Sequence, residues 1–400
     1  MSAPASLYHQ IEAQIKHAAS PATRITSVRR LATLVLGILA SERCVLRRVA
    51  RELGAMGLSR AQPESTRRRL RRTLADARLD DGLGYATVVQ QTVAWPTTEP
   101  VVLILDESTT KGGLHLLRLS LAYRGSCLPL AWKVWPQQAK LPRGAYWRYV
   151  DEVLAAARAI IPAHLRVVLL ADRAYDVPPL LDRLTALGWD WILRCKARSK
   201  MVWRGEDGVE QPLRAVVAAH LRRPGDRFRR TGATFKKAGW RPVQVLGEWG
   251  HGYQDHLVVL TNLPPQWSVL ARYARRCWIE AGFRQDKSYG WDWAHSQVRD
   301  PERQGRLLLA MAWATLLILS LGAAQAAAAV AALVARDHRP KPSHPRDSLF
   351  QLGLARFRAW LYGTVRGRLP WQLPDLTAPT WCAEWLAAHQ STPPSQTVPP

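Results

Sequence analysis

The sequence predicts an α/β protein with a mixed β-sheet, preceded by a helical N-terminal domain. Near Val101 the hydrophobic pattern changes from the spacing of amphipathic helices to continuous apolar runs typical of buried strands. From there, segments follow in the order strand, strand, strand, helix, strand, helix, strand, which is typical of a sheet with crossover helices. A length of 400 residues allows two or three structural units.

The composition indicates a soluble chain with a polyanionic partner. It contains 56 Lys and Arg against 31 Asp and Glu, a formal charge of +25. Such an excess favours nucleic acid as the partner, although a genome that prefers Arg codons would also produce it. The five cysteines are widely separated and form no zinc or disulfide pattern, as in an intracellular protein.

Residues 1–95 are predicted to form a helical, basic, DNA-binding domain. An apolar stripe runs through 25–39, and the later segment RRRLRRTL, 67–74, is intensely basic. Arg67, Arg68 and Arg71 of this segment are candidate DNA contacts. A solvated basic helix with Leu70 and Leu74 at its core edge explains the same pattern equally well.

Residues 100–196 are predicted to form the first part of an α/β core. A buried strand at 101–105 runs into Asp106, and a second at 167–171 runs into Asp172. The remaining elements are a hairpin at 114–121 and 127–135, helices at 144–161 and 178–187, and a strand at 189–195.

A β-rich insertion is predicted at 197–256, followed by the second part of the core at 257–336. The second part begins with a strand at 256–261 and a long helix from about Ser268. Segment 307–334 is apolar enough to span a bilayer, but we favour a buried core helix and expect no membrane partner. A helical region at 337–390 and a disordered, Pro-rich tail at 391–400 complete the prediction.

Two aspartates at strand ends predict a metal site. If strands 101–105 and 167–171 are parallel neighbours, Asp106 and Asp172 lie side by side at the edge where open α/β sheets place their sites. Two adjacent carboxylates repel each other unless a cation lies between them. Oxygen ligands favour Mg²⁺ or Mn²⁺, and a third carboxylate would complete a site for two ions.

Glu280 is the candidate for the third carboxylate. At about 100° per residue, Tyr273, Arg276, Glu280 and Lys287 project within about 60° of one another, if one α-helix continues past Gly282. That face would present a metal ligand beside phosphate ligands. An ordinary Arg276–Glu280 ion pair is the alternative.

These residues resemble a known family. Asp106 in LDESTTK, Asp172 in ADRAYD, and the spacing Y-x2-R-x3-E-x6-K over Tyr273, Arg276, Glu280 and Lys287 are similar to DDE transposases of the IS4-like insertion-sequence group. The resemblance covers about residues 100 to 360. It implies a ribonuclease-H-like core, a mixed five-stranded sheet with helices, interrupted by the β-rich insertion.

The resemblance also implies a mechanism and partners. Asp106, Asp172 and Glu280 would be catalytic and would hold two Mg²⁺ or Mn²⁺ ions, while Tyr273, Arg276 and Lys287 would bind DNA near the cut end. The expected activity is cut-and-paste transposition: cleavage at terminal inverted repeats and strand transfer into target DNA. A homodimer on DNA and a bacterial cytoplasmic, nucleoid-associated location would follow.

Some expectations remain open. The family inserts a Trp against a flipped base, for which Trp240 and Trp249 are weak candidates because the chain has 18 Trp residues and core packing explains each of them better. A domesticated nuclease that cuts without joining, and an inactive relative that acts as a DNA-binding repressor, are the alternative functions.

Overall fold

The computed structural model describes residues 2–96, 98–110, 112–197, 201–334 and 348–374. The predicted tail at 391–400 and residues 337–347 and 375–390 of the predicted C-terminal region lie outside this range. The described α-helices are α1 (Ala3–Ala18), α2 (Ile25–Ser41), α3 (Leu46–Ala55), α4 (Pro63–Leu74), α5 (Tyr85–Thr92), α6 (Ala145–Ile160), α7 (Pro178–Ala186), α8 (Leu213–His220), α9 (Ser268–Ala274), α10 (Trp278–Arg284), α11 (Pro301–Val334) and α12 (Leu349–Leu361).

The strands of the described chain pair mostly antiparallel. They are β1 (Val101–Thr109), β2 (Leu114–Tyr123), β3 (Ser126–Pro136), β4 (Val167–Ala171), β5 (Asp190–Arg194), β6 (Val202–Gly205), β7 (Glu210–Pro212), β8 (Arg227–Thr234), β9 (Arg241–Glu248) and β10 (Leu257–Thr261). The predicted core strands are confirmed, including the β2–β3 hairpin. Between 197 and 256, the helix α8 accompanies the strands and was not predicted.

The chain divides into two compact units. A helix-rich unit contains residues 2–96, 107–164 and 278–374 of the described chain, and a sheet-rich unit contains 98–106 and 165–277.

The core of the helix-rich unit surrounds α11, which packs against α2, α12 and β3. The most apolar window of this helix is long enough to cross a membrane, but 94% of it is buried inside the protein. Helices α11 and α12 cross so closely that a Cβ atom on Gly322 or Gly353 would collide with the backbone of the other helix. Glycine at these two positions permits the crossing. The burial supports the prediction of a core helix over a membrane span.

Helix α11 is fastened to the N-terminal helices at its start. Arg306, only 4% exposed, donates to both carboxylate oxygens of Asp80 at 2.7 and 2.8 Å. It also donates to the carbonyl of Leu74, the last residue of α4, at 2.9 Å. Bidentate pairs of this kind fix geometry as well as charge.

In the sheet-rich unit the strand order is β1-β4-β5-β10-β9-β8-β6-β7. Strands β1, β4 and β5 run parallel, and every later neighbour is antiparallel. Apolar runs such as Val101–Leu105 and Val167–Ala171 are fully buried, as expected for central strands. The carboxyl ends of the three parallel strands therefore meet at one edge.

Candidate active site

Three charged residues each come directly after one of the paired positions of the parallel strands. Leu105 of β1 pairs with Ala171 of β4, and Ala171 pairs with Leu193 of β5. The next residues along these strands are Asp106, Asp172 and Arg194. The parallel pairing of strands 101–105 and 167–171, on which the predicted neighbourhood of Asp106 and Asp172 depends, is thus confirmed. Arg194 occupies the next position in the same row.

Asp106 is held by an arginine. Its Oδ2 accepts a hydrogen bond from Arg276 Nη2 at 3.0 Å, with the two side chains only 13% and 18% exposed. Arg276 lies on a 3₁₀ turn, Arg275–Cys277, directly after α9. The guanidinium therefore places a positive charge beside the Asp106 carboxylate.

Asp172 is half-buried in the turn that follows β4. Its Oδ1 accepts from the backbone N–H of Ala174 at 2.7 Å, a local turn that fixes the carboxylate direction.

Tyr273 lies among the charged residues of this edge. Its side chain is buried, and burial raises the pKa of its phenol well above the usual range. The positive charges of Arg276 and Arg194 act in the opposite direction, and the carboxylates of Asp172 and Asp106 add to the increase. The phenol therefore remains protonated and can donate a hydrogen bond.

Sequence reasoning missed Arg194 although it recognised the strand that carries it. Only carboxylates at strand ends were predicted as site residues. The rule that ligands bind outside the carboxyl ends of such strands applies equally to a basic side chain. The signal was the segment WILRCK, in which an apolar run ends at Arg194 as VVLIL ends at Asp106.

Arg194 also lines a cleft of about 910 Å³ within the sheet-rich unit. The cleft contains Arg227, the half-exposed Tyr253 and Trp267, and residues of α9. Trp240 and Trp249 do not line it. Trp249 donates from Nε1 to the carbonyl of Tyr253 at 2.9 Å, and Trp240 stacks under Arg204.

Glu280 and Lys287 belong to the helix-rich unit. Glu280 is exposed in the first turn of α10. Lys287 lies in a π-helical turn, Gln285–Tyr289, that continues from α10, and burial lowers the pKa of its ammonium, opposed by the carboxylate of Asp286. Among the described residues, no group of three His, Cys, Asp or Glu side chains could hold a metal ion.

The long helix predicted from Ser268 is not a uniform α-helix. It consists of α9, a 3₁₀ turn, α10 and a π-helical turn, so the repeat of 100° per residue does not hold from Tyr273 to Lys287. Helix α10 does continue past Gly282. A Cβ atom there would collide with Cys127 Sγ and with the guanidinium of Arg118, so glycine permits the close approach of α10 to the hairpin.

The carboxylates near Glu280 serve structural contacts. Asp286 is buried and forms an ion pair with Arg118 in the helix-rich unit. Asp292 accepts from Arg43 at 2.8 Å and from His295 at 2.6 Å.

The predicted DNA contacts of α4 differ in their surroundings. Arg67 pairs with Glu64 at 2.7 Å, and Arg68 is 73% exposed. Arg67 and Arg71 line a cleft of the helix-rich unit that Arg68 does not reach.

A comparison with protein families gives one match. The family model described as "Transposase DDE domain" matches residues 148–317. This range includes Asp172, Tyr273, Arg276, Glu280 and Lys287, and it begins after Asp106. No curated protein matches the chain. The domain match supports a transposase and implies a ribonuclease-H-like fold, DNA as the partner and the use of divalent metal ions, as is general for DDE transposases.

Proposed function

We propose that this protein is a cut-and-paste DNA transposase of the IS4-like group, which cleaves at terminal inverted repeats and transfers the freed strand into target DNA. The observation that carries the proposal is the placement of Asp106 and Asp172 directly after the paired residues Leu105 and Ala171 of two parallel strands. The match of residues 148–317 to a transposase DDE domain supports it.

The donor set fits a hard divalent cation. Asp106 and Asp172 offer carboxylate oxygens, and one oxygen of Asp172 is already oriented by Ala174. In the proposed assignment Asp106, Asp172 and Glu280 hold two Mg²⁺ or Mn²⁺ ions. Bound ions of this kind stabilise the attacking and leaving oxygens of a phosphoryl displacement.

The remaining side chains bind and orient the DNA end. Arg276 offers a planar guanidinium that suits a phosphate oxygen pair, and its contact with Asp106 holds it at the same edge of the sheet. Tyr273 remains protonated and donates a hydrogen bond rather than adding negative charge beside the phosphate. Lys287, Arg67, Arg68 and Arg71 are further proposed DNA contacts, and Arg194 joins them from the end of β5.

The proposal carries expectations about assembly and location. Because transposition joins two ends in one complex, we propose a homodimer on DNA. We also propose a location in the bacterial cytoplasm, associated with the nucleoid, because the proposed activity acts on genomic DNA.

The test uses the genomic DNA that flanks the gene as the source of terminal repeats. Purified full-length protein is incubated with labelled end fragments and Mg²⁺. Asp106→Asn and Glu280→Gln are expected to abolish cleavage while end binding stays nearly unchanged. Asp182→Asn, which changes an exposed carboxylate of α7, is the matched control and should cleave normally. Undiminished cleavage by Asp106→Asn would refute the assignment.

A strand-transfer assay separates the proposal from its alternatives. A transposase joins the cleaved 3′ ends to a target plasmid. A domesticated nuclease gives cleaved ends without joined product, and a repressor gives binding without cleavage.

A further inference from the structure

A cleft of about 860 Å³ in the helix-rich unit is lined with arginines. We call it the arginine cleft; its arginines are Arg43, Arg47, Arg48, Arg67, Arg71, Arg299 and Arg303. They come from the loop before α3, from α3 and α4, and from the segment at the start of α11. Residues that are far apart in sequence therefore bring one kind of charge to one concave surface.

Much of this charge is not neutralised by the protein. Asp292 and Asp300 are the only acidic residues among those that line the cleft in the described chain. Arg47, Arg48, Arg71 and Arg299 are exposed, and no described carboxylate lies within 4.0 Å of their nitrogen atoms. Like charges gathered in a concavity raise the local potential and attract an anion.

The walls of the cleft are fixed in position. The Cys44 N–H donates to the carbonyl of the fully buried Trp291 at 2.6 Å, and Arg43 pairs with Asp292. On the other side, Arg306 ties the start of α11 to the end of α4. Because hydrogen bonds and ion pairs already hold the backbone segments that carry the arginines, ligand binding loses less conformational entropy in these segments.

We infer that the arginine cleft binds the sugar–phosphate backbone of duplex DNA. The residues that line it include no Phe, Tyr or Trp, whereas sites for single strands combine basic grooves with aromatic side chains on which bases stack. The inference rests on the proposed function in taking DNA as the substrate. It adds a second binding surface, assigns Arg43, Arg47, Arg48, Arg299 and Arg303 to it, and leaves Arg68 out.

The test compares two double variants that remove the same charge. Arg47→Gln/Arg71→Gln changes the arginine cleft. Arg69→Gln/Arg72→Gln changes α4 on the side that faces a different cavity, together with Arg30. None of the four arginines has an ion pair with a described carboxylate, so neither variant leaves a buried charge. Matching thermal midpoints would show that both variants fold.

Full-length protein is titrated against a fluorescein-labelled duplex of about 30 base pairs and arbitrary sequence, over a series of salt concentrations. Each lost phosphate contact lowers the slope of log K against log salt by about 0.9. The cleft variant should therefore lose up to about two units of slope and bind roughly tenfold or more weakly near 0.1 M salt. The control variant should stay within about threefold of the unaltered protein.

Equal weakening of DNA binding by both variants would overturn the inference, because the charges would then act without regard to position. Unchanged DNA binding by the cleft variant would also overturn it, because the changed arginines would then not contact DNA. Tighter binding of a single strand than of the duplex would also overturn it.

The Asp106→Asn variant, assayed for binding and cleavage in parallel, separates this inference from the proposed function. If Asp106→Asn abolishes cleavage while the cleft variant binds normally, the cleft inference fails and the function stands. If the cleft variant loses binding but the unaltered protein never cleaves, the function fails and the cleft stands.

Discussion

The buried ion pair between Arg118 and Asp286 gives the sharpest stability prediction. The two side chains are 2% and 7% exposed, and the guanidinium also lies 4.1 Å from the centre of the Phe283 ring. Asp286→Asn removes the negative charge that faces the buried Arg118 guanidinium. Breaking a buried pair by changing one partner costs about 3–5 kcal/mol. That is a large part of a typical free energy of unfolding of about 5–15 kcal/mol.

Changing the other partner has a different consequence. A buried arginine stays charged at any ordinary pH, whereas a buried aspartate can take up a proton. Burial already raises the pKa of the Asp286 carboxyl, and Arg118 opposes the increase. In Arg118→Met the pKa of Asp286 rises further. The folded-state pKa of Asp286 is then well above its unfolded value of about 3.9. The contribution of this carboxyl to stability is therefore fully present below about pH 3.9, and it is lost as the pH rises through the folded-state pKa.

Urea titrations followed by circular dichroism at several pH values measure both effects. Glu42→Gln is the control in the same unit, because it removes an exposed pair with Arg358, and exposed pairs contribute about 0–1 kcal/mol. Asp286→Asn should shift the midpoint far more than Glu42→Gln. If Asp286→Asn destabilises the protein no more than Glu42→Gln does, the reasoning about the buried charge is refuted.

Three further predictions follow from named contacts. Gly282→Ala should destabilise the helix-rich unit by about 1–3 kcal/mol, because the new methyl group would overpack against Cys127 and Arg118. The control Gly54→Ala should be neutral or stabilising, because the space around its Cβ is open. Thermal melts compare the two variants, and equal effects would contradict the packing argument. Tyr85→Phe should lose about 0.5–1.5 kcal/mol, because its buried hydroxyl donates to the Pro129 carbonyl at 2.7 Å; an unchanged urea midpoint would count against that bond. Asp172→Asn should weaken Mg²⁺ or Mn²⁺ binding in calorimetry, with unchanged affinity as the contrary result.

The strands that carry Asp106 and Asp172 were predictable because a central strand leaves a direct trace in the sequence. A run such as VVLIL has no polar position, so its burial on both faces can be read from the letters. The predicted end at Asp106 was wrong, because β1 continues to Thr109, although its pairing with β4 stops at Leu105. The apolar character of 307–334 likewise predicted a core helix, although neither its partners nor its close crossing at Gly322 could be read from it.

The helical segment around Glu280 was less predictable because its form depends on tertiary contacts. The switch from α10 to a π-helical turn occurs where Asp286 meets Arg118, 168 residues earlier in the chain. Nothing in the local pattern marks that pairing. The roles of Arg67 and Arg68 could not be separated either, because their surroundings depend on the segment before α11.

The contact between α2 and α11 can form only late in synthesis of the chain. About 260 residues separate the end of α2 from the start of α11. At a translation rate of about 5–20 residues per second, the N-terminal helices leave the ribosome some 13–50 seconds before the helix that covers them exists. During that interval, the surface of α2 that packs against α11 lacks this partner, although α1 and α3 can already cover other parts of α2. A nascent chain stalled before residue 301 should therefore expose this surface to chaperones and resist folding on its own.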